Sequence, residues 1–447
     1  MEIKGLAKAH QRISHKMPNK AAVKVLDATS KPPISAPQSV QEMTSRDFQR
    51  DTHAHIDVTS QLLKDQSTIR NFQLAISLNK HLFRGKTVLD VGCGTGILSL
   101  FAAKAGAARV FSVDQSSVVD YTRKIVAANH YENVIEVIHG RIEDICLPVK
   151  QVDIILCDWM GYSLLYQSTC EAVIFAREKW LRKDTSAVIF PDIAKLLIAG
   201  FQDTQRKNEK IEWWKNVYGF NMKSLREFAL KEPCFYAMAP DQIITTDFTV
   251  KTINLYTATI NDIGVHSLFS LRMLRNGLID GIVTYFQVGF SKSHIPFIFS
   301  TDPWSPHTHW MQSVFFFDQA MPAQVDEILC GGFEMWPADP KKPDLNNIEV
   351  SLELCCGEPM QVQVIMHWQL QPHVSNVTPS TPGPISSAPS TAANTAIEEI
   401  KESTENMSPF LAAILRRSDN KNMVGRRHKK QGKAKQANLK KDIIYTF

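Results

Sequence analysis

The sequence has few of the features that mark membrane, secreted or metal-binding proteins. It contains no apolar run of 18 or more residues, so no membrane-spanning helix is expected. Its first residues are basic and lack an apolar segment, so no secretory signal is expected either. None of the eight cysteines belongs to a Cys-x-x-Cys pair, and we therefore expect reduced thiols and no metal site.

What is present divides the chain into four segments. The 447 residues, of which 44% are hydrophobic, are enough for two globular domains and tails. Residues 1–45 have scattered charge and weak periodicity, which predicts a disordered tail. Residues 46–190 begin with a helical stretch and then alternate short apolar runs with helical ones. Residues 191–372 are rich in β-branched and aromatic runs, and 373–447 form a low-complexity linker and a basic tail.

The two central segments predict two different kinds of sheet. The apolar runs of the first are TVLDVG, ARVFSVD, NVIEVIH, QVDIILCDW and SAVIFPD, and their alternation with helices indicates parallel βαβ units. Runs of the second, such as FTVKTINLYTATI and GIVTYFQVGF, are typical of antiparallel strands in a barrel or sandwich. We therefore predict an α/β fold, with a Rossmann-like domain followed by an antiparallel β-domain.

The first predicted strand ends in a glycine-rich turn, VLDVGCGTG. Gly92, Gly94 and Gly96 would let the chain turn tightly and let a ligand approach bare backbone. A dinucleotide-binding turn needs its third glycine one residue later, and Asp90 would repel a pyrophosphate. An acid at this position instead suits a ligand that carries an ammonium group.

Acidic side chains follow three successive predicted strands. After Asp90, Asp114 ends the second strand, where a carboxylate can accept from both hydroxyls of a ribose. Glu143 follows the third strand, near the expected position of an adenine amino group. The three acids together predict a site for S-adenosyl-L-methionine, whereas the glycines alone would also fit a plain Rossmann turn.

Further motifs run through residues 46–370: LDVGCGTGILSLFAAKAGA, VDQSS, IEDICLP, DWMGYSLLYQS, FPD, WWKNVYGF and THW. They resemble those of the protein arginine N-methyltransferase family, and most of all its asymmetrically dimethylating branch. The resemblance implies methyl transfer to guanidinium nitrogens of protein arginines, a β-barrel as the second domain, and a helical arm near 203–228 that joins two subunits. It also assigns cofactor binding to Asp90, Gly92, Asp114 and Glu143.

The resemblance implies two glutamates that hold the substrate guanidinium, but Asp158 and Gln167 stand at those positions. Two carboxylates would hold the planar cation and draw positive charge toward the nitrogens they touch. Asp158 keeps the charge on a shorter side chain, whereas Gln167 keeps the shape and loses the charge. Two alternatives follow: weak or specialised activity, or a catalytically poor relative that acts as scaffold or regulatory partner of an active methyltransferase.

A second departure lies in the helices before the first strand. The family arginine that pairs with the cofactor's carboxylate falls at Thr68, and we predict Arg70 as its substitute. Two residues along a helix, however, turn the side chain by about 200°. The resemblance also implies that His309 bonds Asp65 and closes the N-terminal helices over the cofactor.

The basic tail bears on location and partners. Arg426 to Lys441 carries eight Lys or Arg and no acid, which fits either a solvated tail or a nuclear localisation signal. We expect the protein in cytoplasm and nucleus, as a homodimer or a heterodimer with a related methyltransferase. Histones and RNA-binding proteins with exposed arginines are the expected substrates, and neither membrane association nor sequence-specific nucleic-acid binding is expected.

Overall fold

The computed structural model describes residues 51–294, 297–339, 344–356 and 361–370. The tail predicted for residues 1–45 and the linker and basic tail predicted for 373–447 lie outside the described residues. Within the described ranges, no helix is long and apolar enough to cross a membrane. The same ranges hold no cluster of three or more His, Cys, Asp or Glu side chains that could bind a metal ion.

Three helices precede the first strand: α1 (Ile56–Lys64), α2 (Gln66–Leu78) and α3 (Lys80–Phe83). The sequence predicts one helical stretch here, and Asp65 divides it. The backbone of Asp65 leaves the helical region, and its side chain caps α2 by accepting from the Thr68 amide at 2.9 Å. The apolar face of α2 is buried, and the ring of Phe72 meets that of Phe290 edge-on with centroids 5.5 Å apart.

Five parallel strands form the first sheet: β1 (Thr87–Val91), β2 (Arg109–Asp114), β3 (Ile135–His139), β4 (Ile154–Leu156) and β5 (Val188–Phe190). Between them lie α4 (Ile97–Lys104), α5 (Val119–Ala128) and α6 (Cys170–Lys179). The strand order is β3-β2-β1-β4-β5, so the connection changes direction between β1 and β4. Ligands of such sheets bind at the carboxyl ends of the strands near this point. The predicted acids therefore follow the strands at the edge where a ligand is expected.

The second half of the chain forms two antiparallel sheets, as predicted. Its strands are β6 (Ile193–Phe201), β7 (Cys234–Tyr236), β8 (Phe248–Asn254), β9 (Val265–Arg272), β10 (Gly277–Phe290), β11 (Phe297–Ser300), β12 (Gln312–Ala323), β13 (Ile328–Pro337), β14 (Ile348–Cys356) and β15 (Gln361–Leu370). One sheet has the order β7-β12-β10-β6-β8, with β11 beside β10, and the other has the order β15-β14-β13-β9.

A helical segment stands between β6 and β7, where the arm is predicted. It consists of α7 (Thr204–Lys210), a short 3-10 helix (Glu212–Lys215) and α8 (Lys223–Lys231). Three of its large side chains are well exposed: Tyr218 is 93% exposed, Phe220 69% and Phe228 64%. Side chains of this size and exposure on neighbouring turns are typical of an interaction surface.

One hydrophobic core joins the parallel sheet to the antiparallel sheets. Phe290 of β10 meets the ring of Phe190 of β5 edge-on, with centroids 5.2 Å apart. Because these rings and Phe72 pack in one cluster, the helices, the parallel sheet and the first antiparallel sheet share buried apolar surface.

Candidate cofactor and substrate site

The glycine turn between β1 and α4 has the backbone that only glycine adopts easily. Gly92, Gly94 and Gly96 have φ values of 71°, 50° and 83°, all left-handed. A Cβ atom at Gly96 would lie 2.8 Å from the Cγ2 atom of Thr122. The Thr122 hydroxyl donates to the Gly94 carbonyl at 2.6 Å, which fixes the turn to α5. The turn can therefore present bare backbone to a ligand.

Asp114, at the end of β2, is fixed beside this turn by main-chain donors. Its two oxygens accept from the Gly94 amide and the Ser116 amide, each at 2.8 Å. A carboxylate oxygen has room for more than one donor, so both can still receive a ribose hydroxyl. The next amide, that of Ser117, donates to Asp51 at 2.8 Å and ties the segment before α1 to the same loop. Asp51 was not identified from the sequence, since nothing local connects it with residue 117.

Asp90 is fully buried at the end of β1. Its Oδ2 atom accepts from the Ser99 hydroxyl at 2.5 Å, and Oδ1 has no hydrogen-bond partner. Burial raises the pKa of Asp90 to about 7, against the Ser99 hydrogen bond, which lowers it. A ligand cation would provide the partner that Oδ1 lacks, so the residue fits the ammonium end of S-adenosyl-L-methionine. Its assignment to that role stays a prediction.

Glu143 lies in the segment after β3, and its side chain is 35% exposed. Its Oε2 atom is 3.4 Å from the Arg141 Nε atom, a long and weak contact. The carboxylate is therefore available to a ligand, and its assignment to the adenine amino group stays a prediction.

Asp65 and His309 are in direct contact, as the resemblance implies. The Asp65 Oδ2 atom accepts from the His309 main-chain amide at 2.7 Å and lies 2.8 Å from the His309 Nδ1 atom. Burial would raise the pKa of Asp65, but the hydrogen bonds from His309 and Thr68 outweigh it and hold that pKa below its usual value. The pair therefore fastens the start of α2 to the segment before β12.

Thr68 stands where the resemblance implies an arginine, and it makes a hydrogen bond within the N-terminal helices. The buried Thr68 hydroxyl donates to Asp65 Oδ2 at 2.7 Å, so it helps to hold the residue that caps α2. Arg70 is exposed and lies two residues further along the same regular helix. To contact the cofactor's carboxylate, the Arg70 side chain would have to reach around the helix. This contact stays a prediction.

Asp158 follows β4 and lies near enough to His309 and Asp65 for both to affect its charge. Its Oδ1 atom is buried and has no hydrogen-bond partner. Burial raises the pKa of Asp158 to about 7, while the nearby His309 lowers it and Asp65 raises it. A partly buried carboxylate with an oxygen that has no partner is suited to bind a cationic side chain.

Gln167 lies on the same loop in an unusual backbone conformation, with φ of 61°. Its main-chain amide donates to the Leu345 carbonyl at 2.8 Å, and its side-chain Nε2 atom donates to the Tyr166 hydroxyl at 3.3 Å. One of the two side-chain N–H donors is thus used, and the Oε1 atom can act as an acceptor for a cation. Gln167 is exposed, unlike Asp158.

We call residues 158–168 the substrate loop. Ser163 joins this loop to the antiparallel sheet: its amide donates to the Ser313 hydroxyl at 3.1 Å, and its hydroxyl lies 2.8 Å from that of Thr284. Ser163 and Leu164 have positive φ values of 45° and 67°. The loop therefore holds a strained shape because strands β10 and β12 bind its tip.

Three aromatic rings beside Gln167 were not identified from the sequence. Tyr162 and Phe235 have ring centroids 4.5 Å apart, and Tyr166 stacks on Phe235 at 6.3 Å with planes 7° apart. Burial raises the pKa of Tyr166 to about 12, so its hydroxyl stays protonated. The signal that could have found them is the pair of tyrosines four residues apart in GYSLLYQ.

Comparison with known proteins places these features in a family. The model of the arginine methyltransferase oligomerization subdomain matches residues 192–355, and that of the ribosomal protein L11 methyltransferase (PrmA) matches residues 73–166. Protein arginine N-methyltransferase 8-B of Danio rerio is 42% identical over 306 residues, which are 68% of this chain and 73% of that relative. Protein arginine N-methyltransferase 1 of Dictyostelium discoideum is 41% identical over 312 residues, 70% and 91% of the two chains. The chain belongs to the protein arginine N-methyltransferase family.

Solved structures agree with the fold of this arginine methyltransferase. A Trypanosoma brucei arginine methyltransferase 1 enzyme–prozyme heterotetrameric complex with AdoHcy matches with a TM-score of 0.68 and 32% identity, over 72% of this chain and 100% of that one. Arabidopsis thaliana protein arginine methyltransferase 10 matches with a TM-score of 0.64 and 28% identity, over 72% and 99%. As a family member, this arginine methyltransferase uses S-adenosyl-L-methionine, as predicted, and its oligomerisation subdomain supports assembly into a dimer or larger oligomer.

Proposed function

We propose that this arginine methyltransferase binds the substrate guanidinium mainly through one carboxylate, that of Asp158, and is therefore a weak or specialised enzyme. The observation that supports this is the buried Asp158 Oδ1 atom, which has no partner and lies near His309. A guanidinium, which stays protonated in water, would provide the missing donors. The bound cofactor would supply a sulfonium methyl group, and the role of Asp158 is to hold the acceptor nitrogen toward it.

The loss of rate expected when Asp158 and Gln167 replace two glutamates follows from the charges of these side chains. A glutamate at position 167 would add a second ionic hydrogen bond, whereas the Gln167 Oε1 atom offers a neutral acceptor. Losing one hydrogen bond to a charged group costs about 1.5–3 kcal/mol, or roughly one to two decades in rate. The Gln167 Nε2 atom donates to Tyr166, and the Oε1 atom is the acceptor that this side chain can offer the cation.

A second candidate function is that of a scaffold or regulatory subunit of an active methyltransferase. It is favoured by Thr68, whose hydroxyl donates to Asp65, the residue that caps α2, where the family has an arginine for the cofactor's carboxylate. The exposed Tyr218, Phe220 and Phe228 would lie buried in a contact with a second subunit. We infer a homodimer, or a heterodimer with a related methyltransferase, with this segment as the arm.

Protein arginines in histones or RNA-binding proteins are the proposed substrates, and cytoplasm and nucleus the proposed location. Both proposals rest on the family and on the basic run from Arg426 to Lys441. The domain bounds at 45, 190 and 372 are likewise proposed, and residue 190 is the last residue of β5.

The test measures label transfer from S-adenosyl-L-methionine to an Arg-Gly-rich peptide and a histone-tail peptide. We expect slow transfer by the natural chain, loss of transfer in Asp158→Asn, and unchanged transfer in Asp241→Asn, a control on an exposed acid. The double variant Asp158→Glu with Gln167→Glu should gain one to two decades in rate.

Two results would support the scaffold function and contradict methyl transfer by this chain. One is cofactor binding by calorimetry without any transfer, in the natural chain and in the double variant alike. The other is an increase in the activity of a related methyltransferase when it is mixed with the Asp158→Asn variant, because that variant cannot contribute a working site of its own.

A further inference from the structure

Two cysteines lie directly opposite each other on neighbouring strands of the second antiparallel sheet. Cys330 of β13 is in register with Cys355 of β14. Both side chains are partly exposed, whereas their chain neighbours Leu329 and Leu354 are each 1% exposed. Because strand side chains alternate between faces, the two thiols lie on the same outward face.

The backbone geometry of this pair suits a disulfide. Directly opposed residues of antiparallel strands have Cα atoms about 4.5–5.5 Å apart, within the 4.4–6.8 Å that disulfides span. Their Cβ atoms, about 4.5–5.5 Å apart, need to approach by only about 1 Å. Cys330 and Cys355 form the last pair of the β13–β14 ladder, and each is also paired on its other side, Cys330 with Ser270 and Cys355 with Val362.

A register shift beside the pair gives further freedom. The β14–β15 ladder is irregular between Leu354 and Cys355, so the end of β14 is not held in a continuous ladder on its other side. The Cys330 Sγ atom has a weak contact at 3.8 Å with the Ser270 hydroxyl of β9, on the same outward face. This contact can be exchanged for water at little cost.

The other described cysteines differ from this pair in burial or in position. Cys157 and Cys170 lie near each other but are buried, and burial raises the pKa of the Cys170 thiol to about 12. Cys93 is also buried, with a pKa well above the usual value. Among the described strands, Cys330 and Cys355 are the one pair of cysteines in register, and solvent can reach both.

We propose that Cys330 and Cys355 form a dithiol site that hydroperoxides convert reversibly into a cross-strand disulfide. One thiolate attacks the O–O bond of hydrogen peroxide, which gives a sulfenic acid and a hydroxide that leaves as water. The second sulfur attacks the sulfenic sulfur, the S–S bond forms, and the sulfenic hydroxyl leaves as water with the second thiol's proton. Two thiols and one peroxide thus give one disulfide and two waters, and an external dithiol reverses the reaction.

The site is separate from the methyl-transfer site. Leu345, whose carbonyl accepts from Gln167, precedes β14, and Cys355 lies near the other end of that strand. From Ile348 to Cys355 the strand advances by seven residues, which is roughly 23 Å. The proposal therefore does not depend on turnover, and its test needs no methyl-transfer assay.

The test treats the full-length protein with hydrogen peroxide, alkylates the remaining thiols and maps disulfide-linked peptides by mass spectrometry. We expect a Cys330–Cys355 link that accompanies the loss of two hydrogens and disappears with dithiothreitol. Cys330→Ser and Cys355→Ser should each abolish it. Cys356→Ser, at the adjacent residue, and Cys146→Ser, at an exposed cysteine elsewhere, should both keep it.

A second measurement does not rely on the variants. The oxidised protein should melt a few degrees higher than the reduced protein, because the link closes a loop of the unfolded chain between residues 330 and 355. A link that uses Cys356, a link between two chains, or oxidation of the two sulfurs to sulfinic acids without a link would overturn the proposal.

Discussion

Replacing Asp65 by alanine should lower the free energy of unfolding by several kcal/mol, because its carboxylate holds α2 to the segment before β12. The carboxylate accepts from two groups of Thr68 and from two groups of His309. Losing the helix cap costs about 1 kcal/mol, and losing the charged contacts to His309 about 1.5–3 kcal/mol. Because Asp65 is only 7% exposed, solvent cannot replace these bonds fully. We expect a fall of about 2.5–4 kcal/mol in the free energy of unfolding.

The measurement is guanidinium denaturation of Asp65→Ala, with Gln66→Ala as control on the next, exposed residue. Asp65→Asn should lose less, since asparagine caps a helix as well as aspartate does. The pKa of Asp65 is held below its usual 3.8, so its contribution is complete above that pH and is lost as pH falls through the lower folded-state value. A loss below about 1 kcal/mol at neutral pH would refute the reasoning.

Three further predictions concern the two halves of the site. Asp158 must be ionised to hold a guanidinium, and its pKa is about 7. Catalytic efficiency should therefore rise roughly tenfold per pH unit below 7 and level off above it. A flat profile from pH 6 to 8 would contradict this role. In Gly161→Ala the new Cβ would overlap the Tyr166 carbonyl oxygen, so transfer should fall at least tenfold while calorimetry shows unchanged cofactor affinity. Gly96→Ala, with φ of 83° and Thr122 in the way, should instead abolish cofactor binding; binding within threefold of the natural chain would show that the turn tolerates a side chain.

The fold follows closely from the pattern of apolar runs. β1 to β5 lie within the five runs of the first domain, because parallel strands buried on both faces need nearly continuous apolar residues. The break at Asp65 was not predicted, since α1 and α2 continue one helical pattern and only the cap that Asp65 forms on α2 separates them. The spacing of apolar residues shows which face of a helix is buried. It does not reveal a single residue whose backbone leaves the helical conformation.

The site could be predicted less completely, because its contacts join distant parts of the chain. The acids at the strand ends follow from sheet topology, and the contact of His309 with Asp65 from the resemblance. The Ser99 hydroxyl that bonds Asp90, and the Asp51 carboxylate that bonds the Ser117 amide, depend on how helices pack over the sheet. Neither leaves a local pattern in the sequence.

The attachment of the substrate loop to the antiparallel sheet has a consequence for protein engineering. Ser163 is bound by Ser313 and Thr284, and Gln167 by the carbonyl of Leu345, so two separate parts of the second domain shape the loop. A chimera that receives this loop from a relative, without the strands that contact it, would carry the relative's acidic side chains. The loop backbone would not be held in the conformation that places those side chains at the substrate. Loop and strands therefore form one transferable module, and exchange of substrate preference between relatives should succeed only when both are moved together.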